Sequence, residues 1–180
     1  MYFSKIIING FRNFKNSEIL FNEGINVITG HNNSGKTNLI KALSLVIDTK
    51  ESKRLEVDDF NKNIVFDELK TTPPKITITV TISKGEYEEP DDLVTVSNWL
   101  TKLDSSYEAL LTYEFFLPEK EKQNYIDAIN GISETDPVKA LDIAWKIIKY
   151  DFIRLYTSKI WGGNIINQSV ADSEFLQKFD

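Results

Sequence analysis

Two short runs near the start of the chain, Phe3 to Asn9 (FSKIIIN) and Ser17 to Phe21 (SEILF), are separated by a polar turn from Arg12 to Asn16. Apolar runs of this length bounded by turn residues predict two neighbouring β-strands in a small sheet. Gly24 starts a third run, Ile25 to Thr29, predicted as a buried strand, and GHNNSGKT follows it directly. Beyond that loop Leu39, Ile40, Leu43, Val46 and Ile47 recur at helical spacing, which predicts an amphipathic helix ending near Asp48.

Thr49 to Asp59 is a charged stretch, and TTPP at 71–74 halts any regular element. Lys75 to Ser83 (KITITVTIS) alternates β-branched residues with period two, and Tyr107 to Leu117 (YEALLTYEFFL) reads as another strand, with a short helix between them over Asp91 to Leu103. Glu119 to Asn130 and Val138 to Lys149 have helical spacing, the second opened by Asp136 as N-cap and Pro137 at the first helical position. Phe152 to Trp161 predicts a strand entering a Gly162-Gly163-Asn164 turn, with Ile165 onward returning as a hairpin. No internal repeat, low-complexity tract or interdomain linker interrupts this order.

A chain of 180 residues, 41% apolar and 27% charged, has the composition of one globular domain with a hydrophobic core. Its apolar runs are too short for a signal peptide or membrane span, so a soluble, cytoplasmic protein without a membrane partner is expected. With no cysteine, disulfide scaffolds, thiolate zinc sites and thiol nucleophiles are excluded. The net charge of −6 is uneven: residues 1–50 carry six Lys/Arg against three Asp/Glu, leaving 15 against 24 in the remainder. An acidic remainder argues against a chain that grips DNA by itself.

The chemistry is carried by Gly30-His31-Asn32-Asn33-Ser34-Gly35-Lys36-Thr37, which fits G-x-x-x-x-G-K-[ST] between a predicted strand and a predicted helix. Glycines let the loop adopt angles closed to other residues, so that successive N–H groups turn toward phosphate oxygens. Lys36 then reaches the β- and γ-phosphates, Thr37 offers a hydroxyl to Mg²⁺, and the helix presents free N–H groups to the anion. ATP and Mg²⁺ are the expected ligands. His31, the only histidine, stands at a variable loop position and reads as a solvated loop residue, not a base.

KIIINGFRNFKNSEILF followed by GINVITGHNNSGKTNLIKAL resembles the N-terminus of ABC-type ATPases of the RecF, SMC and OLD (overcoming lysogenization defect) nuclease group. The resemblance covers roughly the first 50 residues, and only the strand pattern continues it beyond residue 60. It implies an α/β fold of the P-loop NTPase, ABC-ATPase type. Residues 1–180 would form the N-terminal lobe, with a mixed sheet and antiparallel strands, divided into a P-loop unit at 1–50 and a strand-rich and helical remainder at 51–180. It also implies Arg12, Asn13 and Phe14 near the nucleotide's base or α-phosphate, Gly30 to Thr37 around the phosphates, and Asn38 at the helix start. The most similar members are OLD-family ATP-dependent endonucleases and related phage-defence ATPases, which implies two ATPase domains sandwiching ATP, a Toprim nuclease domain following, and DNA as the substrate.

An ABC-type site also uses a strand ending Asp-Glu, a γ-phosphate-sensing glutamine and a signature serine-glycine segment. Ile64-Val65-Phe66-Asp67-Glu68 imitates the first, but it comes too soon after the loop, so Asp67 and Glu68 are weak candidates for catalytic carboxylates. Gly162-Gly163 lacks the signature serine, and neither Gln123 nor Gln168 follows a strand. The expectation is an incomplete ATPase, inactive alone. Two rivals stand beside it: a nucleotide-sensing or assembly module that never hydrolyses ATP, and a stand-alone P-loop kinase. The kinase reading suffers because Arg12, Arg54 and Arg154 are widely separated in the chain.

Overall fold

The computed structural model describes residues 1–32, 34–48, 53–86, 90–102, 104 and 106–163. Predicted positions at Asn33, at Gln168 and in the returning strand from Ile165 lie outside the described residues. Strand β1 (Tyr2–Phe11) and β2 (Phe14–Leu20) form the first hairpin, followed by helix α1 (Lys36–Ile47) and the short helix α2 (Phe66–Thr71). Next come β3 (Ile76–Ser83), α3 (Pro90–Val96), β4 (Leu100–Lys102) and β5 (Glu108–Phe116). Helices α4 (Glu119–Asn130) and α5 (Pro137–Ile147) precede the last described strand, β6 (Thr157–Gly162).

The sheet runs β2-β1-β3-β5, and both β4 and β6 pair with β5, all antiparallel. Alternation along the strands sends one side chain in two to the same face. Ile6 and Ile8 of β1, Ile76, Ile78 and Val80 of β3, and Ala109, Tyr113 and Phe115 of β5 are fully buried on that face. Against it pack Leu39, Ala42, Leu45 and Val46 of α1, with α2, α4 and α5 grouped together beyond. Phe60 lies at the junction, its ring 5.8 Å from Phe115, 6.1 Å from Trp145 and 5.4 Å from Tyr156.

The α/β class and the antiparallel strands follow the sequence pattern. Four local expectations do not, the first being the helix over Asp91 to Leu103, which ends at Val96 because Leu100–Lys102 pairs with β5 as strand β4. Ile25 to Thr29 is no strand: it is exposed throughout, Ile25 by 93% and Val27 by 80%. No described strand lies beside it to form a ladder, and a side chain takes the ladder's place. Asn26 Oδ1 accepts from Asn22 N at 2.8 Å while Asn26 Nδ2 donates to Asn22 O at 2.7 Å, the local competition with sheet pairing to which asparagine is prone. In α1, Ile40 and Ile47 face outward despite their apolar character, because the buried stripe runs through Leu39, Ala42, Leu45 and Val46. Finally, Phe152 to Leu155 continue the helical path beyond α5 before β6 begins; Phe152 is held there edge-on to Tyr125 at 5.4 Å.

The start of α5 fits its prediction closely. Asp136 Oδ1 accepts from Val138 N at 2.9 Å, with Pro137 in the first turn. Asp136→Ala is expected to cost about 1 kcal/mol, the usual worth of an N-cap, read as a lowered urea midpoint at unchanged slope. A midpoint equal to the parent's would show that the proline alone suffices to start the helix.

Candidate nucleotide-binding loop

The loop from Gly30 enters α1 through Gly35, whose φ of 95° lies in the left-handed region. A side chain there would be strained in backbone and would also collide with the Asn13 carboxamide. No side chain caps the helix and no acidic residue occupies its first turn. The first N–H groups of a helix have no partner within it, so this end is left electropositive and ready to donate to an anion.

Lys36 does not extend into solvent. Its Nζ donates to Gly30 O at 2.7 Å and His31 O at 2.8 Å, so the side chain folds back over its own loop. The ammonium therefore lies among the backbone groups that would surround a phosphate, and its present partners are neutral carbonyls that an anion outcompetes. Thr37 is exposed beside it, as are His31, Asn32 and Ser34. His31 takes part through its backbone, its carbonyl accepting from Lys36 Nζ and from Ser34 N. These residues fit a triphosphate with Mg²⁺: Lys36 and the N–H groups of the helix start would hold the phosphates, and Thr37 the metal.

The hairpin turn between β1 and β2 joins this loop through side chains. Arg12 Nη1 donates to Asn38 Oδ1 at 2.8 Å, and Asn38 Nδ2 donates to Asn13 Oδ1 at 2.6 Å. Arg12, Asn13 and Asn38, expected together near the nucleotide, are thus brought together across 25 residues of chain. Phe14 begins β2 and packs partly buried against the core.

Asp67 and Glu68 sit in the exposed first turn of α2, not at a strand end. Asp67 pairs with Lys70 at 3.1 Å, and α2 packs on α4 and α5 while α1 packs on the sheet. The helix forms there because Leu69 is buried while the residues around it stay exposed or half-buried. Sequence reasoning missed Asp59 and Asn61, which the fold places against the hairpin turn: Asp59 Oδ1 accepts from Arg12 Nε at 2.8 Å, and Asn61 Nδ2 donates to Arg12 O at 2.7 Å. Their only signal was Asp-Phe-Asn, a polar pair around an aromatic residue in an otherwise charged stretch.

Among the described residues no group of three or more His, Asp or Glu side chains could hold a metal ion by itself. No helix there is long and apolar enough to cross a membrane.

Residues 5–172 match the family model of the AAA domain. The DNA replication and repair protein RecF of Clostridium acetobutylicum is 33% identical over 90 residues, 47% of this chain and 25% of that protein. RecF of Acetivibrio thermocellus is 32% identical over 73 residues, 37% of this chain and 20% of that protein. Structural maintenance of chromosomes protein 2 of Dictyostelium discoideum is 28% identical over 91 residues, 49% of this chain and 8% of that protein. The matches thus span a quarter or less of these curated relatives. A solved structure from work on ATP-driven dimerization and DNA-stimulated activation of SMC ATPases aligns over 86% of this chain and 89% of its own, with 15% identity and a TM-score of 0.43.

Proposed function

We propose, from the premise that this chain belongs to the AAA domain family, that it binds ATP with Mg²⁺ at Gly30 to Thr37 as the N-terminal lobe of an ABC-type ATPase. The observation that carries the reading is the Lys36 ammonium folded onto Gly30 O and His31 O beside an uncapped helix start. A cation and free N–H donors then converge where a triphosphate would lie. The whole protein, on this reading, is an OLD-like, ATP-dependent DNA-processing enzyme in which two such domains close on ATP. Support for the larger assignment comes from the RecF and SMC relatives, whose names place them in DNA repair and chromosome maintenance. The exposed run Ile25 to Thr29 supports the reading of residues 1–180 as one portion of a larger domain.

The non-hydrolysing module is kept as a second reading because of one observation. Asp67 and Glu68, the nearest imitation of the water-activating pair, lie on an exposed helix turn with Asp67 held by Lys70. Phosphoryl transfer to water depends on positioned carboxylates and metal, so a phosphate cradle alone does not hydrolyse ATP.

Two measurements test these readings. Calorimetric titration with ATP and Mg²⁺ is expected to give binding in the roughly micromolar to millimolar range, since a site open to water weakens each charged contact. Absence of any heat, together with an unshifted melting temperature at high ATP, would sink the proposal. Phosphate release by the purified chain is expected to stay at the level of its Lys36→Ala variant. Turnover that disappears in the variant would restore Asp67 and Glu68 as catalytic candidates and remove the non-hydrolysing reading.

A further inference from the structure

Arg12 is the only described non-glycine residue with positive φ, 48°. Phe11 pairs with Phe14, so Arg12 and Asn13 alone make the hairpin turn, and Arg12 takes the left-handed conformation that favours glycine there. Strain of this kind persists only where surrounding contacts over-determine it. The contacts come from residues 59–61. Arg12 N donates to Asp59 O and Asn61 N to Gly10 O, each at 2.8 Å, and Phe11 and Phe60 bridge between them. Asn61, 2% exposed, donates its carboxamide to Arg12 O.

Asp59 uses both carboxylate oxygens in fixed directions. Oδ1 accepts from Arg12 Nε at 2.8 Å, and Oδ2 accepts from Glu56 N at 3.0 Å, closing a capping box over residues 57–59. The guanidinium held in this way directs Nη1 to Asn38 in the first turn of α1, while Nη2 has no hydrogen-bond partner among the described residues. The Arg12–Asp59 pair is partly buried, its side chains only 34% and 15% exposed, so the bond fixes the direction of the guanidinium. A glycine would serve the turn without strain; what the arginine adds is a cation that this pair aims at the first turn of α1.

We propose that Asp59 is a positioning residue of the nucleotide site: it aims Arg12, and through Arg12 and Asn38 it sets the first turn of the P-loop helix. The assignment rests on the ATP-binding reading above. Asp59 touches no ligand in this scheme. Its effect is to remove the freedom of a long cationic side chain before nucleotide arrives, so that less ordering is required on binding.

The test is a double-mutant cycle on ATP affinity, with melting temperature measured for every chain. Asp59→Ala and Arg12→Ala are each expected to weaken ATP binding about tenfold, and the double variant to bind no more weakly than Arg12→Ala alone. In the parent, the Arg12 Nε–H resonance should be protected from solvent exchange and move on ATP addition; in Asp59→Ala the protection should be lost. Additive losses, or parent-like affinity in Asp59→Ala, would overturn the assignment while leaving ATP binding intact. A parent chain that binds no ATP overturns both. If Asp59→Ala does not fold, Asp59→Asn, which keeps an oxygen facing Arg12 Nε, replaces it in the same cycle. There a loss of affinity that persists in the Arg12→Ala background counts against the proposal.

Discussion

Lys36→Ala is expected to weaken ATP binding by about ten- to a hundredfold, the range that corresponds to losing a charge-assisted contact of about 1.5–3 kcal/mol. The direction follows from where the ammonium lies: its two partners are the carbonyls of Gly30 and His31, groups of the loop itself. A phosphate oxygen brings a full negative charge to the same position and makes a shorter, stronger bond than a neutral carbonyl. The losses should be graded, largest for ATP, smaller for ADP and least for AMP, because the lysine is assigned to the β- and γ-phosphates. Folding should survive, since both hydrogen bonds of the ammonium are exposed and water takes its place at each carbonyl. Calorimetry on both forms with the three nucleotides checks the gradation. Equal ATP affinity in parent and variant would remove Lys36 from the site.

The largest effect on stability is expected at Phe60. Its side chain is 1% exposed and meets the rings of Phe115, Trp145 and Tyr156, so it joins the sheet to the region around α5 and the start of β6. Phe60→Ala removes a buried aromatic ring and leaves a cavity that a packed interior closes only in part, a cost of about 3–5 kcal/mol. Against a total stability of about 5–15 kcal/mol that is a large share, and the melting temperature should fall by roughly 10 °C. Phe60→Leu, which keeps much of the volume, should recover most of the loss. A Phe60→Ala chain that melts within a degree or two of the parent would show that the cluster does not join the two regions. Phe60 also stands between Asp59 and Asn61, so the same substitution should loosen the hairpin turn at Arg12.

The strand at Ile76–Ser83 was legible because its β-branched residues alternate with period two, and α5 because Asp136 and Pro137 mark its start. Ile25 to Thr29 carried an equally apolar pattern and lies exposed. Periodicity reports that a segment suits a ladder, whereas forming one requires a neighbouring strand, and no residue within the segment encodes that neighbour's position. Phe152 to Leu155 differ for a related reason: a short apolar run suits helix or strand, and packing against Tyr125 decided between them.

At the candidate site the division follows the range of the interactions. The phosphate cradle is local chemistry, since glycine's freedom at Gly35, the charge of Lys36 and the free donors of a helix start all arise within Gly30 to Asn38. For that reason the sequence by itself determined the glycine-bounded loop and the helix behind it, on which the proposed nucleotide binding rests. The clamp on Arg12 is tertiary: Asp59 and Asn61 lie 47 and 49 residues away in the chain, and the Asp-Phe-Asn segment that contains them does not name Arg12 as their partner. They reach the turn only because β1 places Gly10 and Phe11 beside residues 60 and 61. Such contacts depend on how the chain returns on itself, so only the tertiary structure could decide which carboxylate holds the arginine.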